Sequence, residues 1–107
     1  MLSAPSGPME RMSTWNPLTR LNVMLLAPPK AGVYALASDG AVIYVGQSLN
    51  LRERLTDHLS ERETVLASLV GSSATTFVYV EVHPALLDLA ERNWVNQLRP
   101  TCNQRAA

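Results

Sequence analysis

A chain of 107 residues, 47% of them apolar, is long enough to enclose one modest core and too short for a second domain of ordinary size. Nine Lys and Arg against nine Asp and Glu give a net charge of zero, which excludes the broadly basic surface of many standing nucleic-acid binders. The single cysteine, Cys102, excludes an internal disulfide, and apolar runs such as Val23 to Ala27 fall far short of the ~20 residues that a membrane span needs.

The opening residues, rich in Pro, Ser and Met, show no periodicity and no signal-like pairing of a basic and an apolar stretch. Residues 1–14 are therefore expected to be a disordered extension, residues 15–107 a single domain, and the location cytoplasmic, with no membrane contact. From Trp15 to Ala27 the residues Leu18, Leu21, Met24 and Leu25 recur at helical spacing until Pro28-Pro29, which predicts a short leading helix. Two β-rich runs follow, Val33 to Ala37 and Ala41 to Val45, joined by Ser38-Asp39-Gly40, a hairpin signal. A two-residue loop would pair Tyr34 with Val45 and send Tyr34 and Tyr44 to opposite faces, because side chains alternate along a strand. A three-residue loop pairs the two tyrosines directly and gathers Val33, Ala35, Ala37, Ala41, Ile43 and Val45 on one apolar face, and this is the expected register.

Asn50, with Glu53 three residues on, predicts a capped helix whose Leu51, Leu55 and Leu59 face the core. Glu63 to Val70 reads as a further short helix ended by Gly71-Ser72-Ser73, and Thr75 to Val82 as a strand. Pro84 opens a last helix with Leu87, Trp94, Val95 and Leu98 as its apolar stripe, and Pro100 closes it. The expected fold class is α/β of the α+β kind, a small three-stranded mixed sheet flanked by helices. Trp15, Trp94, His83 and Cys102 read as structural.

Gly32-Val33-Tyr34, nine residues, then Tyr44-Val45-Gly46 resembles the paired tripeptides that name the GIY-YIG nuclease family, with Val at both middle positions. The segment from Gln47 to Arg54 resembles the stretch that carries the family's catalytic arginine, with Arg54 eight residues after Gly46 and His58 one helical turn later. Glu91 resembles the metal-binding glutamate, and Pro100 with Asn103 the closing Pro and Asn. Gln47 stands where some relatives carry a lysine beside the second tyrosine. The resemblance runs from Gly32 to Asn103 and implies a metal-dependent endonuclease. Its catalytic residues would be Tyr34, Tyr44, Arg54 and His58, its metal ligand Glu91, and Gly32, Gly46, Gln47 and Asn103 would support them.

The residue chemistry gives these roles a reason of its own. Phosphodiester hydrolysis needs an activated water, a group that stabilises charge on the phosphate, and help for the departing oxygen. Arg54 and His58, four apart on a helix, share one face beside the leucine stripe. Glu91, four after Leu87 and four before Val95, falls within an apolar stripe where an ionised carboxylate is costly unless paired or bound to metal. Mg²⁺ is satisfied by one or two carboxylates with water and phosphate, and Mn²⁺ can substitute. A tyrosine, ordinarily with a pKa of ~10, must have it lowered before it accepts a proton from water, and the sequence leaves open which tyrosine does so.

Eight of the nine basic residues are arginines, the better phosphate clamps, and Arg52, Arg54 and Arg62 cluster near the expected site as nucleic-acid contacts. The expected substrate is DNA, its strandedness left open by the sequence, in repair or recombination, with a protein partner that supplies specificity. The alternatives are a nucleic-acid-binding module that keeps the fold without cleavage, and a protein-interaction module unrelated to nucleic acid in which Arg54 and Glu91 form a buried ion pair.

Overall fold

The computed structural model describes residues 13–60 and 75–101. Its elements are β1 (Asn16–Pro17), α1 (Arg20–Leu26), β2 (Gly32–Ser38), β3 (Ala41–Ser48), α2 (Leu51–Ser60), β4 (Thr76–Glu81), a 3₁₀ turn (Pro84–Leu86) and α3 (Leu87–Leu98). The α+β class is as expected. The sheet has four strands rather than three, in the order β1-β4-β2-β3, and each neighbouring pair is antiparallel, so it is not mixed. The extra strand comes from the segment read as the start of the leading helix: Asn16 pairs with Phe77 and Pro17 with Thr76. Proline lacks an N–H, and an edge position tolerates that loss. Just before β1, Ser13 N donates to Tyr79 O at 2.7 Å and Tyr79 N to Ser13 Oγ at 3.0 Å.

The hairpin register differs from the expected one, with a consequence for the site. Asp39 (φ 53°) and Gly40 (φ 83°) both adopt left-handed backbone, as a type I′ turn requires, so the loop has two residues and Ser38 pairs with Ala41. A β-bulge then shifts the pairing between Leu36 and Ala37, from Ala37 with Val42 to Leu36 with Tyr44. The extra residue, Ile43, restores the parity that the short turn would have lost. Tyr34 now lies opposite Gly46, and Tyr34 and Tyr44 share a face although they are not direct partners. Val42 replaces Ala41 and Ile43 on the other face, where it packs with Val33, Ala35 and Val45.

The sheet is covered on both sides, which is why β2 reads as an almost unbroken apolar run. On one face Val33, Ala35, Val45, Val78 and Val80 pack with Leu87, Ala90 and Trp94 of α3. On the other, Tyr34, Leu36 and Phe77 pack with Val23 of α1 and with Leu51 and Leu55 of α2. Helix α2 begins as expected, with Glu53 N donating to Asn50 Oδ1 at 3.0 Å. Helix α1 differs: Thr19 caps it through Asn22 N, Val23 and Ala27 point inward, and Leu21, Met24 and Leu25 are exposed. So short a helix buries only one narrow stripe, and Val23 with Ala27 fills it. Helix α3 ends at Arg99, whose left-handed backbone (φ 51°) turns the chain into the buried Pro100. The expected helix from Glu63 to Val70 lies outside the described residues, as do Arg62, Cys102 and Asn103.

Candidate active site

Tyr34 is fully buried and reaches across the sheet face toward α2. Its path depends on Gly46, its cross-strand partner. A Cβ on Gly46 would stand 2.5 Å from the Tyr34 hydroxyl, 2.7 Å from its Cζ and 2.9 Å from Cε2 of Tyr44. Only a residue without a side chain lets the phenol lie across β3 at this point. Gly32 has a similar reason, since a Cβ there would collide with the Val80 carbonyl and the Leu51 side chain.

The phenol that this groove admits ends on His58. Tyr34 Oη and His58 Nε2 are 2.7 Å apart in buried surroundings, and His58 is only 3% exposed. Tyr44 completes the group: the three rings lie 5.4 Å (Tyr34–His58), 5.5 Å (Tyr44–His58) and 6.1 Å (Tyr34–Tyr44) apart by centroid, tilted or edge-on. Arg54 comes from the turn of α2 before His58. Its charge opposes the rise of the Tyr34 pKa, and it also forms a loose ion pair with Asp57 at 4.0 Å.

Burial sets the protonation of this cluster. It pushes His58 down to about 4, with the adjacent Arg54 charge adding to the shift and Asp57 opposing it. The imidazole is therefore neutral near pH 7, and Nε2 can accept a proton from the Tyr34 hydroxyl. Tyr34 itself is raised well above its ordinary value, first by burial and then by Tyr44, with Arg54 opposing. At rest the pair is a neutral phenol beside a neutral imidazole.

Glu91 approaches from the other face. Gln47 follows Gly46 on β3, pairs with Val33, and so points toward α3, where its Nε2 donates to Asp88 Oδ1 at 2.8 Å and to Glu91 Oε1. The aromatic cluster and the carboxylates thus lie on opposite sides of β3. Among the described residues this strand is the edge of the sheet. Glu91 is half-buried on the flank of the α3 stripe. The Glu91 carboxylate offers hard oxygen donors, which fit Mg²⁺ or Mn²⁺ better than a softer metal. Among the described residues no group of three His, Cys, Asp or Glu forms a closed cage, so water and phosphate would complete the shell.

Arg52 lies apart from this arrangement. Its Nε donates to the Ala27 carbonyl at 2.9 Å and ties α2 to the end of α1. His83, read as structural, caps the 3₁₀ turn by accepting from Ala85 N at 3.1 Å. An open hollow of about 410 Å³ is lined by Lys30, Leu49, Glu81 and His83 among others and contains none of the predicted site residues. Asp88 stands beside Glu91 on Gln47 without having been an expected site residue. Its signal was the i, i+3 spacing to Glu91, which resembles an ordinary acidic first turn of a helix. No described helix is long and apolar enough to cross a membrane.

Comparison with known proteins bears on the whole arrangement. The model of the UvrC-like GIY-YIG domain matches residues 30–104. Similar proteins include the UvrABC system protein C of Maricaulis maris, 35% identical over 80 residues, which cover 71% of this chain and 12% of that protein. The UvrABC system protein C of Mycolicibacterium smegmatis is also 35% identical, over 85 residues, 73% of this chain and 12% of that protein. The chain thus spans only a small fraction, about 12%, of the length of these relatives. Among solved structures, the GIY-YIG N-terminal endonuclease domain of UvrC from Thermotoga maritima, bound to its catalytic divalent cation magnesium, matches with a TM-score of 0.68 and 29% identity. The match covers 78% of this chain and 93% of that one. The matched span contains both tripeptides, α2 and α3, and the chain belongs to the UvrC-like GIY-YIG domain family.

Proposed function

We propose that the chain is a metal-dependent endonuclease domain that hydrolyses DNA phosphodiester bonds in excision repair or recombination, with Mg²⁺ as cofactor and Mn²⁺ as a substitute. The observation that carries this reading is the buried 2.7 Å bond between Tyr34 Oη and His58 Nε2, with Arg54 beside it. A raised tyrosine pKa argues against a resting phenolate, and the neutral imidazole removes the need for one. Substrate binding opens the buried cluster to one water; as that water gives its proton to Tyr34 Oη, the tyrosine's own proton passes to Nε2, and the imidazolium releases it to solvent after cleavage. The resulting hydroxide attacks phosphorus, the bond to the leaving oxygen breaks, and solvent returns a proton to that oxygen. Arg54 donates to a non-bridging phosphate oxygen as charge builds there. When bound at Glu91, the metal supplies Lewis acidity to the phosphate and the leaving oxygen. Tyr44 packs on both rings and holds the relay in place.

Affinity must come from few contacts. Arg54 meets the reacting phosphate, Arg62 and the remaining donors of Arg52 serve as flanking contacts, and Asn103 supports the site. With zero net charge, binding should be weak and its salt dependence shallow. Delivery by a protein partner follows from that weakness, and the relatives' names, as component C of a system, support it. The test is incubation with supercoiled plasmid, single-stranded oligonucleotides and branched duplexes, with Mg²⁺, Mn²⁺ or chelator. Metal-dependent cleavage that is lost in Glu91→Gln is expected. No cleavage of any substrate with either metal would refute the nuclease reading and favour a non-catalytic module.

A further inference from the structure

From β3, Gln47 reaches both carboxylates of α3. Its nitrogen donates to Asp88 Oδ1 and Glu91 Oε1 together. An amide has a donor end and an acceptor end, and if turned over it would set its own oxygen against two carboxylates. Asp88 therefore reinforces the preference of Glu91 for the donor end of Gln47. The bond to Oε1 fixes the Glu91 rotamer, and because the donor is neutral it leaves the carboxylate its full charge. A lysine at the same position would also donate, but it would cancel part of the negative charge that a divalent cation needs.

We propose that Gln47, oriented by Asp88, is a positioning residue that holds Glu91 ready for a divalent cation. The inference rests on the reading of Glu91 as metal ligand. Partners that hydrogen-bond a ligating carboxylate typically contribute about 10–100-fold in metal affinity. Gln47 is only part-buried, so its replacement leaves both core clusters intact.

The probe is Mn²⁺ alone, titrated through the millimolar range into the full chain without nucleic acid and followed by the electron paramagnetic resonance signal of the free ion. Gln47→Ala should bind Mn²⁺ roughly 10–100-fold more weakly than wild type, with a melting temperature near that of wild type. Gln47→Lys should lose at least as much, although it keeps a donor and fills the space. Asp88→Ala should lose less, in the same direction. Cleavage by Gln47→Ala should return toward the wild-type rate once the metal saturates, so that the metal half-saturation moves and the maximal rate does not. Wild-type Mn²⁺ affinity in both Gln47 variants, with Glu91→Gln impaired, would overturn the clamp and leave the nuclease reading standing. A lowered melting temperature with unchanged affinity would reduce Gln47 to a structural tether. If Glu91→Gln bound as well as wild type, or wild type bound no Mn²⁺ at all, the metal reading and the clamp would fall together.

Discussion

Replacing Tyr34 by Phe separates what its hydroxyl does for the fold from what it does for the chemistry. The ring is fully buried and would stay in place, so packing against Leu36, Leu51 and Leu55 is retained. What disappears is the 2.7 Å bond to His58 Nε2, which leaves a buried nitrogen without its partner. An orphaned buried polar group costs about 1–3 kcal/mol. For a domain of this size each kcal/mol lowers the melting temperature by about 4–8 °C, so Tyr34→Phe should melt roughly 5–20 °C below wild type. Removing both partners is far cheaper than removing one. Tyr34→Phe combined with His58→Leu should therefore recover much of the loss in thermal unfolding followed by circular dichroism. Neither variant should cleave well: losing a positioned proton acceptor reduces the rate by about 10²–10⁴-fold. A single variant that cleaves at the wild-type rate, or a double variant less stable than Tyr34→Phe alone, would show that this pair is not the proton relay.

Gly46→Ala should displace the Tyr34 ring, because the new Cβ would stand 2.5 Å from its hydroxyl, and overpacking of this kind costs about 1–3 kcal/mol. Chemical denaturation and single-turnover cleavage should both show the loss. His58 is held down to about 4 in the fold against an ordinary 6.5, so the unfolded chain binds more protons between those values. Its stabilising contribution is complete above about pH 6.5 and is lost as pH falls toward 4, up to roughly 3 kcal/mol in all. Urea unfolding across that range should show the slope in wild type and a weaker one in His58→Leu. Arg54→Ala should reduce single-turnover cleavage by about 10²–10³-fold with a modest loss of DNA binding, since it removes one transition-state donor.

How much was legible in the sequence depended on how local the signal was. Asn50, Glu53, Leu51 and Leu55 announce α2 because a cap and a periodic stripe are written within ten residues. The paired tripeptides fixed Tyr34, Tyr44 and their glycines. The hairpin register was not legible, because Asp39-Gly40 permits two loop lengths and the bulge at Ile43 has no composition of its own. The stripe of α1 was misread because Leu21, Met24 and Leu25 are as apolar as Val23 and Ala27, and only the neighbouring elements decide which set turns inward. At Gln47 the sequence shows only an amide next to the second glycine. Its bonds to Asp88 and Glu91 join residues 41 and 44 positions away, a separation at which single-residue patterns carry no signal.

The bulge and the turn together explain how one short strand serves two halves of a site. With a two-residue turn alone, Tyr34 would face Val45, and Tyr44 would point toward α3, away from His58. With the bulge, Tyr34 falls opposite Gly46 and Gln47 opposite Val33. The pleat then sends two consecutive residues to opposite faces: Gly46 opens the groove that brings the phenol to His58, and Gln47 reaches the carboxylates of α3. Among the described residues β3 is the sheet edge, and the proposed mechanism requires a phosphate at that edge to meet Arg54 from one side and a metal held by Glu91 from the other. The local irregularity that the sequence conceals is thus the feature on which the proposed chemistry most depends.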